Sequence, residues 1–295
     1  MTAKPADNKN KKEIDIGKFK PEEHDLYKKV IAVIGPRGSG KSTLIKDLLY
    51  QVKKIPIGKV INGTERASPF YSDFVPDILI DTEWDLEKAE DFKDRAEDLM
   101  ELKRTNPKYK RVNTHSFFLL DDCLYDDSWP KTKVMREIFM NGRHFHITFI
   151  VAMQTPLGLP PMLRDQIDYT FICGVSGNKN KEKIYENYVK GIENKRQFFK
   201  IVDNCTAGFN CLVIKNCAKA TSITDNVFWY KANEHSGFMM CNKVVWEFHG
   251  NKFNRNYKEK MRKRRVREKE ETKRVREAKR VAKRSREVIE VNRAS

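Results

Sequence analysis

Several things are missing from this chain, and each absence narrows what it can be. No apolar run approaches the ~20 residues that a membrane-spanning helix needs, so no span is expected. The first stretch, MTAKPADNKNKKEIDIGKFK, has no apolar centre of the kind a secretory signal carries. The sequence therefore predicts a soluble, intracellular protein. Cysteine is sparse, with 6 in 295 residues and no paired C-x-x-C spacing. That points to reduced thiols rather than a disulfide framework. Cys205, Cys211 and Cys217 recur every six residues, a spacing that zinc sites do not ordinarily use. His144 and His146 would share one face of an extended strand, which suits a surface or core role better than a metal site. There is no internal repeat.

Positive charge is what the chain has in excess. The net charge is +17 and the isoelectric point is about 9.5, which favours a polyanionic partner. The excess is uneven. Residues 255–295 hold 18 Lys and Arg against 7 Asp and Glu, so this segment supplies +11 of the +17. It contains neither Gly nor Pro and is rich in helix formers. Three parts are expected: a polar, Lys-rich, disordered segment at 1–26, a domain at 27–250, and a basic tail at 251–295 that is either helical or disordered.

Within the domain, short apolar strands alternate with helical stretches, the pattern of an α/β fold with a mostly parallel sheet. Strands are expected near Val30–Ile34, Lys59–Asn62, Ser116–Leu120, Ile147–Ala152, Tyr169–Cys173 and Asn210–Ile214, with an edge strand within Asp225–Ala232. Helices are expected near Ser42–Val52, Leu86–Arg104, Lys131–Met140 and Lys181–Lys190.

The chemistry is concentrated after the first strand. Gly35-Pro36-Arg37-Gly38-Ser39-Gly40-Lys41-Ser42 is a full match to G-x-x-x-x-G-K-[ST]. Strand before and helix after are the context this motif requires. The glycines let main-chain amides turn in around phosphate oxygens, and the N-terminus of the following helix, through Thr43, points at the same anion. Lys41 would reach the β- and γ-phosphates, and the Ser42 hydroxyl would hold Mg²⁺. A second acidic element follows in SFFLLDDCL. Asp121, at the strand's end, would bind the Mg²⁺ directly or through water, and Asp122 would deprotonate the attacking water. Glu is more usual there, and Asp is one methylene shorter. Gln154 ends the next apolar strand, where it can sense the γ-phosphate or serve merely as a turn starter. Arg143 and Arg164 flank that strand, and either could reach a neighbouring subunit's phosphates as an arginine finger. A guanine-specific protein is disfavoured, because Asn178-Lys179-Asn180-Lys181 puts Lys where an N-K-x-D motif needs Asp. A small-metabolite kinase would not explain the basic tail.

Taken in order, IAVIGPRGSGKSTLI, INGTERASPFYSDFVPDILID, FFLLDDCL, FMNGRHFHITFIVAMQTPLGLPPMLRDQIDYTFI and NVFWYKA resemble the genome-packaging ATPases of nucleocytoplasmic large DNA viruses, of the FtsK/HerA superfamily. The fourth block is the most specific, and the likeness covers about 27–250 but not the tail. The resemblance implies a RecA-like P-loop core with extra strands between the phosphate-loop strand and the acid strand. It also implies a ring homo-oligomer, hexamer or pentamer, acting on double-stranded DNA, with capsid or portal-like proteins as partners. Work in the host cytoplasm or viral factory, or association with the virion, would follow. By position, Gly35–Thr43 become nucleotide ligands, Ser42 and Asp121 metal ligands, Asp122 the base, Gln154 the sensor, and Arg143 or Arg164 the finger. Thr64-Glu65 falls in the second block, but the residues alone assign it no role. Two other functions stay open on sequence: a cellular-type DNA pump or helicase, and an ATP-gated protein that docks DNA or capsid with slow turnover.

Overall fold

The computed structural model describes residues 15–123, 126–175, 177–189, 194–216 and 223–253, and beyond these Lys263, Val266, Glu270, residues 273–275 and Glu277. The first strand, β1 (Val30–Ile34), is buried along its whole length. A glycine-rich loop leads into α1 (Lys41–Gln51), followed by β2 (Ile57–Asn62) and the two-residue β3 (Ile80–Asp81). Asp85 caps α2 (Leu86–Thr105) by accepting from the Lys88 amide, and Lys103 and Arg104 lie in its last turn, where cations suit the helix dipole. Then come β4 (Ser116–Asp121), α3 (Lys133–Asn141), β5 (Ile147–Met153), the single-turn α4 (Pro161–Arg164) and β6 (Tyr169–Cys173). α5 (Asn178–Tyr188), α6 (Lys195–Cys205), β7 (Asn210–Lys215), β8 (Val227–Lys231) and α7 (Lys243–Phe248) complete the described order.

Among the described residues eight strands form one sheet in the order β3-β2-β4-β5-β1-β6-β7-β8. Pairing is parallel from β3 through β6 and antiparallel for β6-β7 and β7-β8. This is the mostly parallel α/β sheet expected. β8 is the expected edge strand, and β5 separates β1 from β4. Strand residues alternate strictly between two apolar layers, as a period of two requires. Ala32, Phe118, Phe149, Ile172 and Leu212 face the layer formed with α2, α3, α5 and α6. Ile31, Phe117, Ile150, Phe171 and Val213 face the layer that contains α1 and the aromatic segment around Tyr71–Val75.

The N-terminal expectation needs correction. The segment 1–26 does not lie wholly outside the domain. Phe19 is fully buried and Leu26 nearly so. The Phe19 ring stacks on His24 at 4.4 Å and meets Tyr169, Phe171, Phe228 and Tyr230 edge-on. Its amide donates to Trp229 O, and Lys18 bridges β8. One aromatic in a Lys-rich stretch has no periodicity to betray it, so the packing decides. Residues 1–14 lie outside the described residues. So does most of the tail, whose described positions beyond 253, namely Lys263, Val266, Glu270, residues 273–275 and Glu277, are helical.

Smaller differences have local causes. α3 starts at Lys133 rather than Lys131, because Trp129–Lys131 forms a 3-10 turn and Thr132 caps the helix by accepting from the Met135 amide. His144 and His146 lie in the turn before β5 rather than on a strand face. His146 Nδ1 is 2.8 Å from Thr114 Oγ1, and its ring stacks on His115. β3, α4, α6 and α7 have no counterpart among the expected elements. Of the three spaced cysteines, Cys205 and Cys211 are buried and free, and Cys217 lies outside the described residues.

Candidate functional site

The loop from β1 to α1 turns on two left-handed glycines, Gly38 (φ 73°) and Gly40 (φ 89°). At Gly35 a Cβ would stand 2.3 Å from Cys173 O and 2.6 Å from Ser39 Oγ, so no side chain fits. Ser39 Oγ donates to Pro36 O at 2.8 Å. Lys41 Nζ donates to Gly35 O at 2.8 Å and Pro36 O at 3.0 Å, which keeps the ammonium at the mouth of the loop. Ser42 and Thr43 stand exposed on the first turn of α1, where unpaired amides and the helix dipole favour an anion.

α1 is fixed from behind by Asp47, which is fully buried. Its Oδ2 accepts from Tyr230 Oη at 2.5 Å and from the Asn233 amide at 2.9 Å. Its Oδ1 lies 2.7 Å from His235 Nε2 and accepts from Gln51 Nε2 at 3.0 Å.

Two strands away, β4 ends in Asp121, in register with Asn62 of β2. Asp121 Oδ2 accepts from Tyr71 Oη at 2.6 Å. Burial lifts the Asp121 carboxyl above its ordinary pKa; the Tyr71 hydroxyl and the Lys41 charge oppose that, and the Asp122 charge adds to it. Asp122 has a left-handed backbone (φ 52°), a conformation that costs a non-glycine residue about 1–3 kcal/mol. There its Oδ1 accepts from Gln154 Nε2 at 2.6 Å, joining the tips of β4 and β5.

Glu65, unassigned from sequence, is buried at 7% exposure. Its carboxylate accepts from Asn62 Nδ2 and from the amides of Phe70, Tyr71 and Ser72, at 2.8–3.2 Å. It thus ties down the turn that carries Tyr71 to Asp121. Thr64 donates through its amide and hydroxyl to Asn62 Oδ1 and faces the cleft.

Lys41, Ser42, Thr64, Asp121, Asp122 and Gln154 line, with Arg37 and Gly38, one cleft of about 180 Å³. A larger hollow of about 530 Å³ adjoins Glu65 on the side of β3. On its wall Lys88 pairs with Asp81 and Asp85. The two arginines stay outside the cleft. Arg143 is exposed in the turn before β5, at the opposite end of that strand from Gln154. Arg164 Nη1 donates to Leu159 O at 3.1 Å, and its charge is felt by Tyr188, whose hydroxyl donates to Pro156 O. Asp168, from the most specific block, serves the main chain. Its Oδ2 accepts from the Val30 amide at 2.9 Å, which aligns β6 with β1.

A strand–loop–helix cradle, with an acid-tipped strand two places away and a glutamine-tipped strand between them, defines a P-loop NTPase. The chain belongs to the poxvirus A32 protein family, whose model matches residues 18–234. This bears out the resemblance to the genome-packaging ATPases of nucleocytoplasmic large DNA viruses. An uncharacterised protein of Acanthamoeba polyphaga mimivirus is 36% identical over 227 residues, spanning 75% of this chain and 80% of that protein. One from invertebrate iridescent virus 6 is 36% identical over 203 residues, spanning 68% and 74%. Among solved structures, the pCW3 conjugation coupling protein TcpA with ATPγS matches at TM-score 0.51 and 14% identity, over 72% of this chain and 62% of that one. The DNA-packaging ATPase of Sulfolobus turreted icosahedral virus matches at TM-score 0.49 and 18% identity, over 71% and 100%. Identities this low concern the fold alone. Among the described residues no helix is long and apolar enough to cross a membrane.

Proposed function

We propose that this chain hydrolyses ATP to drive double-stranded DNA into a viral capsid, as one subunit of a ring. The observation that carries the reading is the convergence of Lys41, Asp121, Asp122 and Gln154 on one cleft at the mouth of the phosphate loop. Lys41 meets the β- and γ-phosphates. Ser42 and Asp121 would hold Mg²⁺. The donors are hard oxygens that suit this ion, and Asp121 is a half-buried carboxyl whose ionised form a cation would favour. The ion, when bound, would offset charge on the phosphate oxygens. Asp122 takes the proton of the attacking water, and Gln154, already in contact with it, fixes where that water sits. Arg143 and Arg164 lie outside their own cleft, which fits service to a neighbour's nucleotide. Packaging must ignore sequence, so DNA is held through its phosphates, with the basic segment 255–295 adding non-specific grip.

The test is ATP hydrolysis by the full chain with and without long duplex DNA, together with displacement of a triplex-forming strand. A packaging motor is stimulated by the duplex and strips the third strand. Hydrolysis indifferent to DNA, with no displacement, would leave an ATP-gated docking protein as the better reading. The ring is tested by mixing Arg143→Ala or Arg164→Ala with Asp122→Asn. Mixed interfaces regain turnover if the arginine acts in trans, and intact assemblies with no rescue at any ratio count against it.

A further inference from the structure

β6 and β7 flank β1 on the side away from β5 and β4. β7 runs antiparallel to β6, with Cys211 opposite Cys173. The residues that enter β7 therefore stand at the same end of the sheet as the phosphate loop. There the chain makes two successive left-handed residues, Gly208 (φ 64°) and Phe209 (φ 62°). Glycine adopts that backbone freely, but for a bulky side chain it is a genuine outlier. Burial does not compensate, because Phe209 is 72% exposed. Its ring lies beside the N-terminus of α1: a Cβ built on Gly40 would stand 3.6 Å from Phe209 Cδ1. A core role would bury the ring, and a plain turn would place Gly or Asn here. Strain, exposure and position together point to a ligand contact.

The other flank fixes which part of the ligand. Asp121, Asp122 and Gln154 gather on the β5–β4 side of Lys41, so the terminal phosphate lies there. The nucleoside must then leave the loop toward β6 and β7. With strands about 4.8 Å apart, β7 stands about 10 Å from β1 on that side, within reach of an extended nucleotide.

We propose that Phe209 is the platform on which the base of the bound nucleotide stacks. The proposal rests on the reading of the cleft as a nucleotide site and extends it to the base. Stacking on an open aromatic face tolerates any base. Phe209 therefore sets the preference for a nucleotide over a bare phosphate chain, not for adenine over guanine.

The experiment measures binding of AMPPNP and of tripolyphosphate, each with Mg²⁺, to the full chain. Phe209→Ala should weaken AMPPNP about tenfold or more and leave tripolyphosphate unchanged. Phe209→Trp should keep AMPPNP at wild-type affinity. Phe209→Gly should melt at a higher temperature than wild type, because the strain is relieved, yet bind AMPPNP as poorly as Phe209→Ala. Equal weakening of both probes would make Phe209 a support for the loop and overturn the proposal, as would no change in either. A wild-type chain that binds tripolyphosphate as tightly as AMPPNP overturns the platform alone. One that binds neither overturns the nucleotide site itself.

Discussion

Glu65 and Asp121 are two carboxylates joined through Tyr71, yet the fold keeps them in opposite conditions. Glu65 receives one side-chain amide and three main-chain amides, and its oxygens are occupied by the protein. Asp121 receives the Tyr71 hydroxyl and its neighbour's amide, faces the cleft, and is held above the ordinary carboxylate pKa by its burial. A saturated buried acid holds a shape. A half-buried acid short of donors, beside a cleft, has capacity left for a ligand. The two acids thus divide the work, Glu65 fixing the turn that presents Tyr71 and Asp121 facing what binds.

The sharpest way to break that division is to neutralise the acids one at a time. Asp122→Asn should lower ATP turnover by about 10²–10⁴, the range of a general base, while Mg²⁺-ATP binding persists. Near-normal turnover would sink the assignment of Asp122. Asp121→Asn should lose Mg²⁺-dependent turnover without lowering the melting temperature, because burial then no longer opposes a charge. A large loss of stability would show that Asp121, too, is structural.

Glu65→Gln should show the reverse. Its new NH₂ group faces main-chain amides that need an acceptor, at a cost of about 3 kcal/mol in denaturant unfolding. Turnover should fall only as far as Tyr71 is displaced. A variant of normal stability and no activity would make Glu65 a chemical group and erase the contrast. Tyr71→Phe should lower turnover least of the set and cost no more stability than Glu65→Gln. It removes one hydrogen bond to a carboxylate, about 1.5–3 kcal/mol, and leaves the buried ring in place. If its stability matched wild type, the link between the two acids would carry no energy.

These sites differ in how far the sequence discloses them. The phosphate loop, Asp121, Asp122 and Gln154 are legible because each is local: a strand, then a residue at its tip. The sheet is legible for the same reason, apart from β3, whose two residues are too few to show a period. α6 has both a cap, Asn194, and a helical spacing in Phe198, Ile201, Val202 and Cys205, a signal that the sequence does carry. Phe19, Asp47 and Glu65 are different. Phe19 is an isolated aromatic whose partners come from β6 and β8. Asp47 finds Tyr230 across 183 residues. Glu65 acts through amides of a turn with no regular pattern. Their roles follow from where the sheet brings distant segments together, which no window of residues contains.

The Asp47 contacts also have a mechanical meaning. Tyr230, Asn233 and His235 all close on this one residue of α1, so α1 is riveted to β8 and the segment after it. A tug on the chain beyond β8 would be transmitted to α1 with little slack, and the two would move as one lever. On the opposite flank β4 and β5 are paired from Ser116 to Leu120 and are joined again beyond the sheet by the Gln154–Asp122 contact, so the acid and the amide are held as closely to each other as α1 is to β8.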